Sequence, residues 1–197
     1  MKSDSSIIYL LAAFFFICTV NSCNDQDVVT IRNDNLTVEV SLMGAELQSI
    51  YDNNTRTELF WQGDPEYWAG RSPVMFPVNV RFRNDSFIYN GIPFEMARLG
   101  LAQTHQFRLI PSDDPASVSL EMTSDQETMK HYPFSFRLLV EYKVEENRLI
   151  NRFQVENRDD EPIFFALGGH PGFNLLSEGD GNDRSQQFVF DREMNIH

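Results

Sequence analysis

Between Pro133 and Asn157 the chain reads PFSFRLLVEYKVEENRLINRFQVEN, and its apolar residues recur at every second position. Phe134, Phe136, Leu138, Val140, Tyr142 and Val144 make one row, while Ser135, Arg137, Glu141 and Lys143 fall in the other. Successive side chains of a strand point to opposite faces, so a period of two predicts a half-buried strand where a helix would need a period near 3.6. Directly afterwards Leu149, Phe153 and Val155 alternate with Arg148, Arg152 and Glu156, which predicts an antiparallel partner joined as a hairpin. The same habit extends back to Val28. VVTIR, LTVEVSL, AELQSIY, ELFWQ, SFIYNGIPFEM, HQFRLI, SVSLEMT and, further on, IFFALG are separated by Asn, Asp, Gly and Pro clusters. Short strands at short spacing predict an all-β antiparallel sandwich or barrel. Asn90-Gly91 predicts a tight hairpin turn, since both residues tolerate positive φ. One short helix is predicted where Ser124 and Glu127 have capping-box spacing and Tyr132-Pro133 ends the segment.

The first residues belong to a different category. Ile7 to Val20, IIYLLAAFFFICTV, is an apolar run of 14 residues, suited to the core of an export signal and short for a membrane span. It ends in VNSC, which resembles the lipobox of bacterial lipoproteins, in which the cysteine is acylated and becomes the mature N-terminus. The expected organisation is a lipoprotein-type signal peptide over residues 1–22, a short polar tether over 23–27 with Cys23 as the lipidation site, and a β domain over 28–197. That places the protein outside the cytoplasm as a membrane-anchored lipoprotein, periplasmic or at the cell surface, with cleaved secretion as the second reading. Cys18 lies within the leader and Cys23 at its end, so the domain holds no thiol for a disulfide, a zinc site or a nucleophile. Net charge is −13, and the Lys and Arg residues form no stripe, which argues against a nucleic-acid partner.

Three stretches depart from plain strand and turn. WQGDPEYWAGRSPVMFPVNVRF, residues 61–82, holds both tryptophans, three prolines and two arginines. A strand-poor aromatic passage in a β protein is either a packed cap or the wall of a ligand site, and cap packing is the favoured reading for Trp61 and Trp68. Arg81 follows Val78 and Val80 in a stretch expected to alternate, which would aim its guanidinium into a concave sheet face. MARLGLAQTHQF, residues 96–107, is the second stretch, and FALGGHPGFN, residues 165–174, the third. Gly168 and Gly169 permit close backbone approach, and Pro171 restricts His170 to extended geometry. A lone histidine is commonly a hydrogen-bonded structural residue; here the main chain also aims the imidazole, which keeps a catalytic role open.

GAELQSI, FWQGDPEYWAGRSPVMFPVNVRFRN, YPFSF and GGHPGFN, in that order, resemble the aldose 1-epimerase (galactose mutarotase) family, in its bacterial aldose-epimerase-like subgroup. The resemblance runs from about Val28 to the last residue and implies a β-supersandwich, here incomplete at its C-terminal end. It implies binding of a free hexose and interconversion of its α and β anomers, without metal or organic cofactor. By match to the His-Pro motif, His170 is the acid toward the ring oxygen and Arg81 a sugar-binding residue. An acid and a base suffice for the reaction, and general acid–base groups typically contribute about 10²- to 10⁴-fold each.

Two departures from the family pattern bear on activity. Where the subgroup carries a His-Gly-Phe-Ala-Arg motif this chain has LGLAQ, so Leu99 replaces the histidine and Gln103 the arginine. His105, in the alternating THQFRLI, is expected to be an exposed strand residue. The family's glutamate base and a sugar-binding aspartate lie on strands expected beyond His197, while Glu46, Glu66, Glu95 and Glu178 have the spacing of solvated or turn carboxylates. The expected function is therefore that of an aldose 1-epimerase-like protein impaired by truncation, or alternatively a non-catalytic carbohydrate-binding or degenerate surface lipoprotein.

Overall fold

Antiparallel pairing of neighbours in sequence organises the chain. The computed structural model describes residues 28–175 and Val189; the leader, Cys23 and the tether lie outside the described residues, as does Glu178. The first sheet pairs β1 (Val28–Arg32), β2 (Leu36–Ser41), β3 (Leu47–Asp52) and the two-residue β4 (Thr57–Glu58) in chain order. After a two-residue strand β5 (Val74–Met75) comes a hairpin of β6 (Ser86–Tyr89) and β7 (Ile92–Glu95). Its turn residues Asn90 and Gly91 have φ of 49° and 78°, as the Asn-Gly pair predicts. The second sheet is built from β8 (Arg108–Ile110), β9 (Ser117–Thr123), β10 (Phe136–Glu145) and β11 (Arg148–Asn157), again in chain order, with a one-turn helix α1 (Thr128–His131) between β9 and β10.

The predicted hairpin is continuous. β10 and β11 pair from Phe136↔Asn157 to Glu145↔Arg148, leaving Glu146 and Asn147 as the turn. Alternation decides burial: Phe136, Leu138, Val140, Tyr142 and Val144 are buried, and across the pairing to β9 so are Val118, Leu120 and Met122. Ile31, Val38, Val40, Leu47 and Ile50 of the first sheet join the same hydrophobic cluster, so the inner faces of both sheets make one core. Each such side chain removed from water contributes about 1.5–3 kcal/mol. Polar links fix how the layers meet. Tyr142 Oη, deep in the core, donates to the Ala45 carbonyl at 2.8 Å, and the Arg32 amide donates to the Pro115 carbonyl at 3.1 Å. Burial pushes the Tyr142 hydroxyl above its ordinary range, which keeps it a donor.

Three local expectations are corrected. The helix is capped by Asp125, whose Oδ1 accepts the amides of Glu127 and Thr128 at 2.9 and 2.8 Å, while Thr128 Oγ1 accepts the Asp125 amide. Ser124, the predicted cap, instead accepts the Phe136 amide at 3.2 Å, because β9 still extends to Thr123 and commits its next residue to β10. IFFALG forms only β12 (Gly168–Gly169), paired with Val74 and Met75. Two residues further along this register Pro77 has no amide to give, and the contact there reduces to the Ala166 amide on the Pro77 carbonyl. Val78 to Phe82 are not a strand either: the chain turns through Asn84 and Asp85 at positive φ, and the expected alternation of Arg81 with Val78 and Val80 does not form.

The outer face of the second sheet carries charges in alternation. Glu121 lies between Arg108 and Arg137, and Glu156 between Arg137 and Arg158. The Arg137 guanidinium, and then Arg108, hold the Glu121 carboxyl below its ordinary value. A lowered folded-state value means that its stabilisation is present above the unfolded value of 4.5 and is lost as pH falls through the folded one. Chemical denaturation at pH 6 and pH 3 should therefore show a smaller acid-induced loss of stability in Glu121→Gln than in the wild type. In the core, Leu138→Ala should lower unfolding free energy by about 2–5 kcal/mol, read from urea midpoints at unchanged slope.

Candidate functional site

Of several hollows among the described residues two compete as sites, and their linings separate them. One, of about 240 Å³, is walled by Val78, Phe82, Phe87, Met96, Phe134 and Phe164, with Tyr89 and Tyr132 as polar-tipped members. Tyr132 Oη is already donated to the Phe164 carbonyl at 2.9 Å. The other, of about 310 Å³, is lined by Glu46, Trp68, Gly70, Pro73, Arg98, Leu99, Gln103 and His170. Apolar walls with a few convergent polar groups are what a small polar ligand requires, so the second hollow is the candidate site.

Four segments build it. Glu46 comes from the β2–β3 turn, Trp68, Gly70 and Pro73 from the irregular passage before β5, Arg98, Leu99 and Gln103 from the loop after β7, and His170 from the residue after β12. Pairing of Gly168 with Met75 and Gly169 with Val74 sets the backbone that carries His170. Its imidazole is exposed at the rim and meets Trp68 edge to face, with ring centroids 5.0 Å apart. Two residues on, the Gly172 amide donates to the Arg71 carbonyl at 2.9 Å and the Gly172 carbonyl accepts the Trp61 amide at 3.0 Å. A β-carbon at Gly172 would stand 2.8 Å from Trp61 Cβ and 3.0 Å from a Trp68 ring carbon, so glycine is required for this close approach. Trp61 Nε1 donates to the Trp68 carbonyl at 2.8 Å. Trp61 thus packs beneath the loop, and Trp68 lines the hollow.

Glu46 ties this assembly to the first sheet. Its Oε1 accepts the amides of Arg71 and Ser72 at 3.0 and 2.8 Å, and its Oε2 accepts Gln48 Nε2 at 3.2 Å. The Arg71 guanidinium reinforces the same point through the Gln48 carbonyl at 2.6 Å. Because the Arg71 carbonyl in turn holds Gly172, the carboxylate positions the loop that carries His170.

The opposite wall is set by Phe76. Its carbonyl accepts the amides of Leu101 and Ala102 at 2.7 and 3.1 Å, and a β-carbon on Gly100 would lie 2.2 Å from that oxygen. Gly100 has φ of 85°, and Leu99 before it is also held at positive φ, 65°, with its amide on the Val80 carbonyl at 3.1 Å. Gln103 Nε2 donates to the Arg98 carbonyl at 2.6 Å, closing the loop on itself.

Of the residues singled out in the sequence, His170, Leu99 and Gln103 are brought together in the hollow, and Arg81 is not among its lining. Arg81 reaches Asp85 instead, with Nε and Nη2 each 2.7 Å from a carboxylate oxygen, in an exposed pair that lowers the Asp85 carboxyl from its ordinary value. His105 is half-buried, outside the β8 strand and away from the hollow. Glu66 and Glu95 also lie outside the lining, while Glu46 and Arg98 line it without having been marked as site residues. Position within GAELQSI was the available signal for Glu46, and adjacency to Leu99 that for Arg98. Among the described residues no group of three or more His, Cys, Asp or Glu could hold a metal ion.

Comparison with known proteins points one way. A family model described as aldose 1-epimerase matches residues 27–189. Protein LacX of Lactococcus lactis subsp. lactis, in its chromosomal form, is 33% identical over 159 residues, covering 77% of this chain and 52% of that protein. A galactose mutarotase related enzyme from Lactobacillus acidophilus aligns at 36% identity and a TM-score of 0.74, over 77% of this chain and 50% of that one. A galactose mutarotase-like protein from Lactobacillus casei aligns at 30% identity and a TM-score of 0.72, over 75% and 50%. The chain spans about half the length of the relatives it matches.

Glu46→Gln removes the charge that holds two amides and should lower stability by about 1.5–3 kcal/mol. Since those amides position the His170 loop, near-ultraviolet circular dichroism from Trp61 and Trp68 should change with it; an unchanged tryptophan signal would contradict the positioning role.

Proposed function

Because the chain belongs to the aldose 1-epimerase family, we propose that it acts on the anomeric centre of a free hexose bound in the hollow beside His170. The observation that carries this reading is that His170, Arg98 and Gln103 line one cavity whose volume, about 310 Å³, suits a single small ligand. In the proposed reaction the His170 imidazolium protonates the ring oxygen while a base takes the proton of the anomeric hydroxyl. The ring C–O bond breaks as the carbonyl forms. Rotation of that carbonyl and the reverse proton transfers close either anomer. Arg98 and Gln103 have donors to offer the remaining hydroxyls.

The base is the open half of the scheme. Glu46 is the hollow's carboxylate, and both its oxygens already accept hydrogen bonds, three in all, which suits it to holding backbone better than to taking a proton. This favours a second reading for the described residues, carbohydrate binding without turnover. Polarimetry on freshly dissolved α-galactose or α-glucose separates the two: mutarotation faster than the spontaneous rate, and abolished in His170→Ala, is expected for the enzyme. Equality of wild type and blank would leave binding alone. In either case sugar should perturb tryptophan emission through Trp68, and a silent titration would rule out the site.

The leader supports a proposal about place. Cys23 carries the lipid, and the domain is held at a membrane outside the cytoplasm. Wild-type protein expressed in a bacterial host should partition into the detergent phase of a Triton X-114 extraction, and Cys23→Ala should move to the aqueous phase.

A further inference from the structure

We propose that Asn174 is the latch that sets where His170 stands, a positioning residue downstream of the imidazole on the same segment. The latch is a property of the fold; its consequence for a sugar rests on the reading above.

The segment that carries His170 is poorly equipped to hold itself. Gly168, Gly169 and Gly172 have no side chains to pack, Pro171 has no amide, and Phe173 is half exposed. Pairings so rich in glycine are weakly specified in register, and slippage by one residue would carry the imidazole about 3.3 Å along the strand direction. Upstream, the pairing with β5 ends at Gly169 on Val74. Downstream, Gly172 to Asn174 run antiparallel beside residues 59–61, with Phe173 opposite Phe60. His170 lies between the two pairings.

Asn174 closes the second of them on three successive carbonyls. Its backbone amide donates to the Leu59 carbonyl at 3.0 Å, and its side-chain Nδ2 donates to the carbonyls of Glu58 and Phe60 at 3.1 and 2.9 Å. The two hydrogens of one amide nitrogen thus serve carbonyls two residues apart, a fit that a displaced segment would lose. Those carbonyls are fixed in turn. The Glu58 carboxylate accepts the amides of Ile50 and Phe60 at 3.0 and 2.9 Å and the Ser49 hydroxyl at 2.6 Å. The Phe60 ring is fully buried and meets Phe173 edge to face, with centroids 5.5 Å apart. Asn174 therefore ties the His170 segment to the first sheet through side-chain bonds separate from the Gly172 contacts. The contact of the imidazole with Trp68 depends on that placement.

The test is nuclear magnetic resonance of the full chain with labelled histidine. The His170 resonances are identified by their loss in His170→Ala and carry the ring-current shift of Trp68. Asn174→Ala and Asn174→Asp, the second of the same shape but without donors, should both remove that shift, while the core variant Leu138→Ala, destabilised elsewhere, should keep it. Unmoved His170 resonances in both Asn174 variants would overturn the latch. Should neither variant fold, as judged by far-ultraviolet circular dichroism, the wild type decides. Its Asn174 side-chain amide hydrogens should exchange with solvent about tenfold or more slowly than those of the exposed Asn90, and equal rates would overturn the proposal. Titration with D-galactose and D-glucose, followed by tryptophan emission, tests the consequence. Binding about tenfold weaker in Asn174→Ala is expected, and undiminished binding overturns that consequence. A silent wild type sinks the sugar reading, and the imidazole resonances still decide the latch.

Discussion

The carbonyl oxygen of Phe76 lies where the core ends and the site begins. Behind it the Phe76 ring is fully buried among Phe136, Tyr132 and Phe165. In front, the oxygen accepts two amides of the loop that contains Leu99 and Gln103 and leaves room for no side chain at position 100. One peptide group thereby transmits the rigidity of a packed interior to a loop that lines the candidate site. The opposite wall is fixed in a comparable way by a charged acceptor, Glu46, on two backbone amides. Charge-assisted hydrogen bonds to amides are strong and directional, which is why a single carboxylate can position a loop more than twenty residues away in sequence.

How far the sequence revealed this depended on the range of the forces involved. The ten-residue strands Phe136–Glu145 and Arg148–Asn157 were legible because alternation is a local pattern and burial obeys it. The Asn90-Gly91 turn was legible because positive φ is a local demand. The helix cap moved by one residue because Ser124 is taken by the neighbouring strand, a competition between elements that spacing does not show. IFFALG has strand-forming composition, but pairing needs a partner with an amide, and Pro77 has none. At the site, Leu99 and Gln103 were legible as departures from a motif. Arg81 was read as facing a sheet, whereas the chain curls through Asn84 and Asp85 at positive φ and brings Asp85 within its reach. Glu46 was indistinguishable from a solvated carboxylate, because the amides it accepts belong to Arg71 and Ser72.

Both walls mix two chemistries: an imidazole, a guanidinium and an amide have donors for a polar ligand, while a leucine, a proline and an indole exclude water. The family assignment and this mixed lining are independent observations, one drawn from sequence and the other from geometry.

Among the described residues β11 stands at the margin of the second sheet, and its outward row carries Arg148, Arg152 and Glu156, with Arg158 just beyond its end. A long bare margin of main-chain donors and acceptors would ordinarily recruit another polypeptide and seed fibrils. Guanidinium groups four and then six residues apart make such stacking in register self-repelling, since each would meet its own image in the adjoining molecule. Charges in such a row oppose self-templated pairing in the way gatekeeper residues do.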